Sequence, residues 1–286
     1  MNPRLSVITI NFNNAIGLRQ TLNSVLEQTF TDFEYIVIDG GSADGSVEVI
    51  KEFENLKFKK EASNSKMNNN MPLQWISELD KGIYHAMNKG ITRALGEYCF
   101  FLNSGDYLVS STVLEEVFSK NPSENIVFGN LVVCLNEIPF GKILGKNELT
   151  FLDLYNSNVV KHQSAFIKRS LFETFGLYNE NLRIVSDWEF FLKTIGLATV
   201  SYRFVDVDIA CFDNDGVSNS AGSITKNERN HVLETNIPSM ILADYRHFEA
   251  YNFLKPALRY KFTYFFLRLI AKCAKEYEKL KKRYDP

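Results

Sequence analysis

The chain has 286 residues, 45 % of them apolar and 13 % aromatic, which suits one large domain with an appendage or two small ones. Its formal net charge of −2 hides an asymmetry: from Lys255 to the end there are ten Lys and Arg against three Asp and Glu, and before it 22 against 31. An acidic body with a basic tail argues for a surface-binding tail and against a nucleic-acid-binding core. Cys99, Cys134, Cys211 and Cys273 show no CxxC spacing, which predicts a reducing compartment with neither a disulfide framework nor a zinc site. The N-terminal run is too short for a signal peptide, and no apolar stretch reaches the roughly 18 residues that span a bilayer. The expectation is a cytoplasmic protein.

In chain order, Leu5–Ile10 reads as a strand, Asn11–Asn14 as a loop, and 17–28 as a helix with Leu18, Leu22, Val25 and Leu26 on one face. Phe33–Ile38 is a second strand, followed by a turn from Asp39 to Ser46 and a helix over 47–53. This β-loop-α-β-loop-α opening predicts a parallel sheet. Glu61–Met71 is polar and Asn-rich, a loop by composition. A helix is predicted over 82–95, a buried strand over 98–102, a helix over 111–119 and a strand over 126–135, then a turn and returning strand to Lys146. Short elements follow: a strand over 162–167, helices over 171–175 and 187–195, and a strand over 199–212. Residues 227–245 and 255–283 read as helical, and no internal repeat is present.

Three carboxylates fall at comparable places. Asp39 ends the second strand, Asp106 follows the 98–102 strand, and Asp187 opens a helix. In a parallel α/β sheet the first two share the ligand-binding edge. There is no G-x-G-x-x-G and no G-x-x-x-x-G-K-[ST], so a phosphate-bearing ligand would need a metal to neutralise it. Each carboxylate also has a plainer reading: Asp39 as a turn residue and Asp187 as an acidic residue favoured at a helix N-terminus.

Five motifs in order resemble family 2 glycosyltransferases, especially bacterial polysaccharide-assembly members. They are Asn11-Phe12-Asn13, the run from Phe33 through Asp39 to Ser46, the run from Ser77 to Gly90, Phe101 through Asp106, and Ser186 through Phe191. The resemblance covers roughly residues 4–220. It implies an α/β fold with a mostly parallel central sheet flanked by helices (the A-type glycosyltransferase fold) and a C-terminal helical extension. It implies a catalytic domain over 1–220, with a nucleotide-sugar half (1–110) and an acceptor half (111–220), and an extension over 221–286. It further implies a nucleotide-diphospho-sugar donor, Mn²⁺ or Mg²⁺, and inversion at the anomeric carbon. By matching position, Ile10, Asn11, Asn13 and Asp39 belong to the nucleoside pocket, and Asp80 and Lys81 face the diphosphate. Asn88 and Ser104 join the donor site, Asp106 binds the metal, and Asp187 is the base. His162 and Trp188 are acceptor-side candidates, each with a structural alternative.

Four positions depart from the pattern: Asn103 and Gly105 stand where acids are common, Ser186 where a glutamate is common, and His85 where an acid is common. Lys89 reads as a solvated helix residue. From about residue 255, Leu258, Phe262, Phe265, Phe266 and Leu269 recur at helical spacing beside Lys261, Arg268, Lys272, Lys275 and Lys279, a basic amphipathic helix suited to an anionic membrane surface or to docking on the body. A lipid-linked glycan acceptor would fit the membrane reading. Two other classes stand beside the transferase: a sugar nucleotidyltransferase, disfavoured by the Asn11–Asn14 loop, and a non-catalytic nucleotide-sugar-binding module.

Overall fold

Strand β1 (Leu5–Asn11) is buried along its whole length, as a β-branched run with a neighbour on each side should be. A computed structural model describes residues 2–61, 72–135, 138–156, 159–213, 222–258 and 261–284. Helix α1 (Ala15–Leu26) buries Leu18, Leu22, Val25 and Leu26, and Asn14 caps it by accepting the Gly17 N–H at 3.1 Å. Next come β2 (Phe33–Asp39), α2 (Ser46–Glu61), β3 (Leu73–Ser77), α3 (Ile83–Arg93) and β4 (Tyr98–Phe101). These strands form the parallel order β3-β2-β1-β4.

The second half changes direction. It runs through β5 (Tyr107–Leu108), α4 (Val113–Phe118), β6 (Ile126–Leu135), β7 (Ile138–Ile143), α5 (Phe151–Asn156), a 3-10 turn (His162–Ser164), β8 (Ala165–Lys168) and α6 (Arg169–Phe175). Then come α7 (Ser186–Phe191), a π-helical turn (Leu192–Leu197) and β9 (Tyr202–Asp213). Strand β8 lies antiparallel to β4, with Phe100 opposite Phe166, and the sheet continues β8-β6-β9-β5, with β7 on β6. The rings of Phe100 and Phe166 stack at 4.7 Å, and Phe118 meets Phe166 edge-on. Burial of each such ring contributes roughly 2–3 kcal/mol. The result is an α/β fold: one central sheet flanked by helices, with C-terminal helices.

By its internal packing the chain divides into two units, Met1–Asn230 and His231–Pro286. Helix α8 (Gly222–Asn236) ends near Pro238, which has no N–H to continue a helix, so the single helix expected over 227–245 is two. α9 (Ser239–Leu258) and α10 (Lys261–Tyr284) follow. Apart from Glu61, which ends α2, the 61–71 loop lies outside the described residues.

Two expectations are corrected. Cys134 and Cys211 are joined as a disulfide with Cα atoms 6.1 Å apart, because β6 and β9 pair across 77 residues of sequence. Cys99 is buried and free, as expected. Lys89 is not solvated: its ammonium sits 3.0 Å from Glu78 and donates to the Leu79 carbonyl at 3.0 Å, pinning the segment between β3 and α3.

Candidate active site

Register builds the first wall. Asn11 lies opposite Asp39, and Asp39 opposite Ser77, so the ends of β1, β2 and β3 form one polar row. Asp39 has no exposed surface and accepts five hydrogen bonds: Asn11 Nδ2 at 2.7 Å, Ser42 Oγ at 2.6 Å, Ser77 Oγ at 2.6 Å, and the N–H groups of Ser42 and Gly41. Burial alone would raise its pKa, but these bonds outweigh burial and hold it below the usual carboxylate range. Five donors saturate a carboxylate. A base or ribose hydroxyl would reach Asp39 by displacing one of them, and in the protein alone Asp39 shapes the loop that follows β2. Asn11 Oδ1 is buried with no partner, an acceptor aimed at the same end of the strands. Asn13, at φ 49°, accepts the Ala43 N–H at 2.9 Å and so braces the two loops. Asp80 packs over Gly40: a Cβ there would lie 2.6 Å from Asp80 Oδ2 and 3.1 Å from Phe12 Cδ2, so only glycine admits this approach. Lys81 is exposed beside it.

The second wall is the turn from Asn103 to Asp106. Ser104 N–H bonds the Ile10 carbonyl at 3.0 Å, tying the turn to β1. Gly105 stands at φ +102°, a left-handed conformation glycine adopts without strain. Thr21 of α1, fully buried, donates to the Asp106 carbonyl at 2.7 Å and accepts the Gly105 N–H at 3.0 Å. Asp106 itself is 6 % exposed.

Antiparallel pairing supplies the third wall. Because β8 runs against β4, the residues just before β8 lie beside those just after β4. His162 therefore meets Asn103, with His162 Nε2 3.2 Å from Asn103 Nδ2. Its other nitrogen, Nδ1, is 2.7 Å from Asp187 Oδ2. Tyr84, in the first turn of α3, donates to Asp187 Oδ1 at 2.9 Å. Burial alone would raise the Asp187 carboxyl. The hydrogen bond from His162, the Tyr84 hydroxyl and the Lys161 ammonium reverse that and hold it below the usual range. Burial lowers Lys161, against the pull of Asp187.

The expected residues thus fall into three groups. Ile10, Asn11, Asn13, Asp39, Asp80, Lys81, Ser104 and Asp106 converge on one sheet edge, and His162 links that edge to Asp187. Asn88 does not join the donor edge: its amide donates to the Tyr178 carbonyl and to Glu180 and accepts the Tyr178 N–H, so every polar atom is committed to the second half. It sits one helical turn beyond Tyr84 on the same face of α3. Trp188 is also corrected. It is 6 % exposed, its indole N–H donates to Leu154 O at 2.6 Å, and Arg229 covers its ring at 4.2 Å, so it packs instead of stacking on an acceptor. Sequence reasoning missed Tyr84, Thr21 and Lys161. Only Tyr84 left a signal, its i, i+4 spacing to Asn88.

A hard divalent cation needs oxygen ligands. The turn offers the Asp106 carboxylate and Asn103 Oδ1, which is buried and unpartnered. Among the described residues no three His, Cys, Asp or Glu side chains converge to hold a metal alone. The donor set fits a cation that takes its remaining ligands from a diphosphate.

The sequence model described as glycosyl transferase family 2 matches residues 6–175. A PGL/p-HBAD biosynthesis glycosyltransferase of Mycobacterium bovis is 28 % identical over 222 residues, covering 76 % of this chain and 80 % of that protein. An uncharacterized glycosyltransferase of Mycobacterium tuberculosis is 34 % identical over 227 residues, covering 75 % and 77 %. S. aureus TarS 1-349 in complex with UDP-GlcNAc shares the fold with a TM-score of 0.59 at 19 % identity; the match covers 77 % of this chain but only 61 % of that structure, under two thirds. The family match spans residues 6–175, more than half of the chain, and the fold agrees with it: the chain belongs to glycosyl transferase family 2.

Proposed function

We propose that this protein is a metal-dependent, inverting glycosyltransferase that moves a sugar from a nucleoside-diphosphate donor to a hydroxyl of a lipid-linked glycan during bacterial surface polysaccharide synthesis. The observation that carries the reading is the meeting of the Asn103–Asp106 turn with Asp187 through His162, at 3.2 and 2.7 Å. Asp106 and Asn103 Oδ1 would hold the cation, which when bound offsets the charge left on the diphosphate. The row at Asn11 and the close approach of Asp80 to Gly40 bind and orient the nucleotide. As the acceptor oxygen bonds to the anomeric carbon and the bond to the diphosphate oxygen breaks, the hydroxyl proton passes to Asp187. The depressed pKa keeps Asp187 ionised near neutral pH and makes it a weak base. Proton transfer therefore comes late, when attack has already made the hydroxyl acidic.

The membrane reading rests on α10. Phe265, Phe266, Leu269 and Ile270 are exposed, with exposed Arg268, Lys272 and Lys275 on the same helix. Among the described residues no helix is long and apolar enough to cross a membrane. One relative, matched over 43 % of this chain, bears the name cholesterol galactosyltransferase, which supports a lipid acceptor here. Co-sedimentation with phosphatidylglycerol vesicles, set against phosphatidylcholine, tests this; binding unchanged in a Lys272→Glu/Lys275→Glu variant would count against it. For the reaction, Asp187→Asn should abolish turnover on a panel of UDP-, GDP- and dTDP-hexoses while keeping nucleotide binding.

A further inference from the structure

We propose that Asp187, His162 and Asn103 act as one relay, in which His162 is a positioning residue that fixes the carboxylate of the base and, at its other nitrogen, the orientation of the Asn103 amide. The proposal rests on reading Asp187 as the base.

With a neutral imidazole the polar atoms along this chain match in one way; a protonated ring would carry N–H at both nitrogens and turn the Asn103 amide round. A carboxylate can only accept, so the 2.7 Å contact to Asp187 Oδ2 requires the proton on His162 Nδ1. With Nδ1–H committed, Nε2 presents a lone pair. It can then face only the donor end of the Asn103 amide, Nδ2, at 3.2 Å. The amide oxygen must consequently point the other way, and there it has no partner in the protein although it is buried. A buried acceptor left unmade is costly and calls for an explanation. Here it follows from the relay: Asp187 sets the imidazole tautomer, the tautomer sets the amide, and the amide presents a bare oxygen within the turn that carries Asp106. Tyr84 holds the other carboxylate oxygen at 2.9 Å, so the base is fixed at both ends.

The three members come from separate parts of the chain: the loop after β4, the turn before β8 and the first turn of α7. Occupancy of the donor turn and alignment of the base would therefore be linked. A group at the Asn103 oxygen strengthens the Nδ2 bond to His162, and through it the grip on Asp187.

The first test reads the wild-type protein. Nitrogen-15 spectra of labelled enzyme resolve the four histidines, and His162→Asn assigns His162 by loss of its signal. The relay requires the Nδ1–H tautomer, with a shift at Nε2 in Asn103→Ala. An Nε2–H tautomer, or an imidazole signal insensitive to both Asp187→Asn and Asn103→Ala, overturns it. The second test splits the two links. His162→Asn keeps a donor at the Nδ1 position only; His162→Gln keeps an amide at the Nε2 position only. The relay predicts that His162→Gln lowers kcat about 10–100-fold, the range seen when an outer-shell partner is lost, with little change in donor KM. His162→Asn should mainly raise donor KM. Both variants within twofold of wild type, with Asp187→Asn inactive, overturn the relay and leave the base reading standing. An active Asp187→Asn removes the base itself.

Discussion

Two carboxylates of this molecule, one buried and one half-buried, are held differently. Asp39 takes five hydrogen bonds from neutral donors that all lie on the ends of β1, β2 and β3 or on the loop that follows β2. Asp187 takes a hydroxyl from α3 and an imidazole from the turn before β8, with Lys161 near. Both are shifted below the usual carboxylate range, yet only Asp187 keeps accepting capacity. A depressed pKa alone does not separate a structural acid from a functional one. What differs between the two is the count and origin of the donors.

The sharpest way to break the comparison is to neutralise each acid in turn. Asp187→Asn should lower turnover by about 10²–10⁴-fold, the usual range for a lost general base, with the thermal midpoint little changed. Asp39→Asn should do the reverse in kind. It turns an acceptor into a donor among five donors, and chemical denaturation should show a loss of about 2–4 kcal/mol. A stable but inactive Asp39→Asn would erase the distinction. Thr21→Val strips the hydroxyl that ties α1 to the Asp106 turn and leaves the Gly105 N–H unmade. A loss of about 1–3 kcal/mol is expected, and no loss would mean the turn holds itself. The gentlest effect is on pH. Folded pKa values below the unfolded 3.8 mean that both acids stabilise the fold above that pH, and the contribution fades as pH falls below it. Melting scans from about pH 6 to pH 3 should show that decline, shallower in Asp39→Asn.

The donor half was legible because its strands are buried on both faces and read as continuous apolar runs, each ending in a polar residue on the same edge. Asp39 and Asp106 follow from that pattern, whereas Asp80 came from the family resemblance alone. Strand β3 was not legible: Leu73-Gln74-Trp75-Ile76-Ser77 is a short, half-exposed edge strand. The antiparallel pairing of β8 with β4 left no local signal, since no hairpin joins them, so neither the His162–Asn103 contact nor the disulfide across β6 and β9 could be read. Trp188 and Asn88 misled for one reason. Both lie inside family motifs, and a motif fixes position in the chain but not which side of a helix faces the cleft.

The most direct measurement is the thermal midpoint of the full chain with UDP, GDP, dTDP or CMP, each with and without Mn²⁺. Ligand binding raises the midpoint by mass action. The account predicts that one nucleotide stabilises the protein only with Mn²⁺, that Asp106→Ala abolishes the response, and that Asp187→Asn keeps it. A response independent of the metal and intact in Asp106→Ala would contradict a donor site built on the Asn103–Asp106 turn.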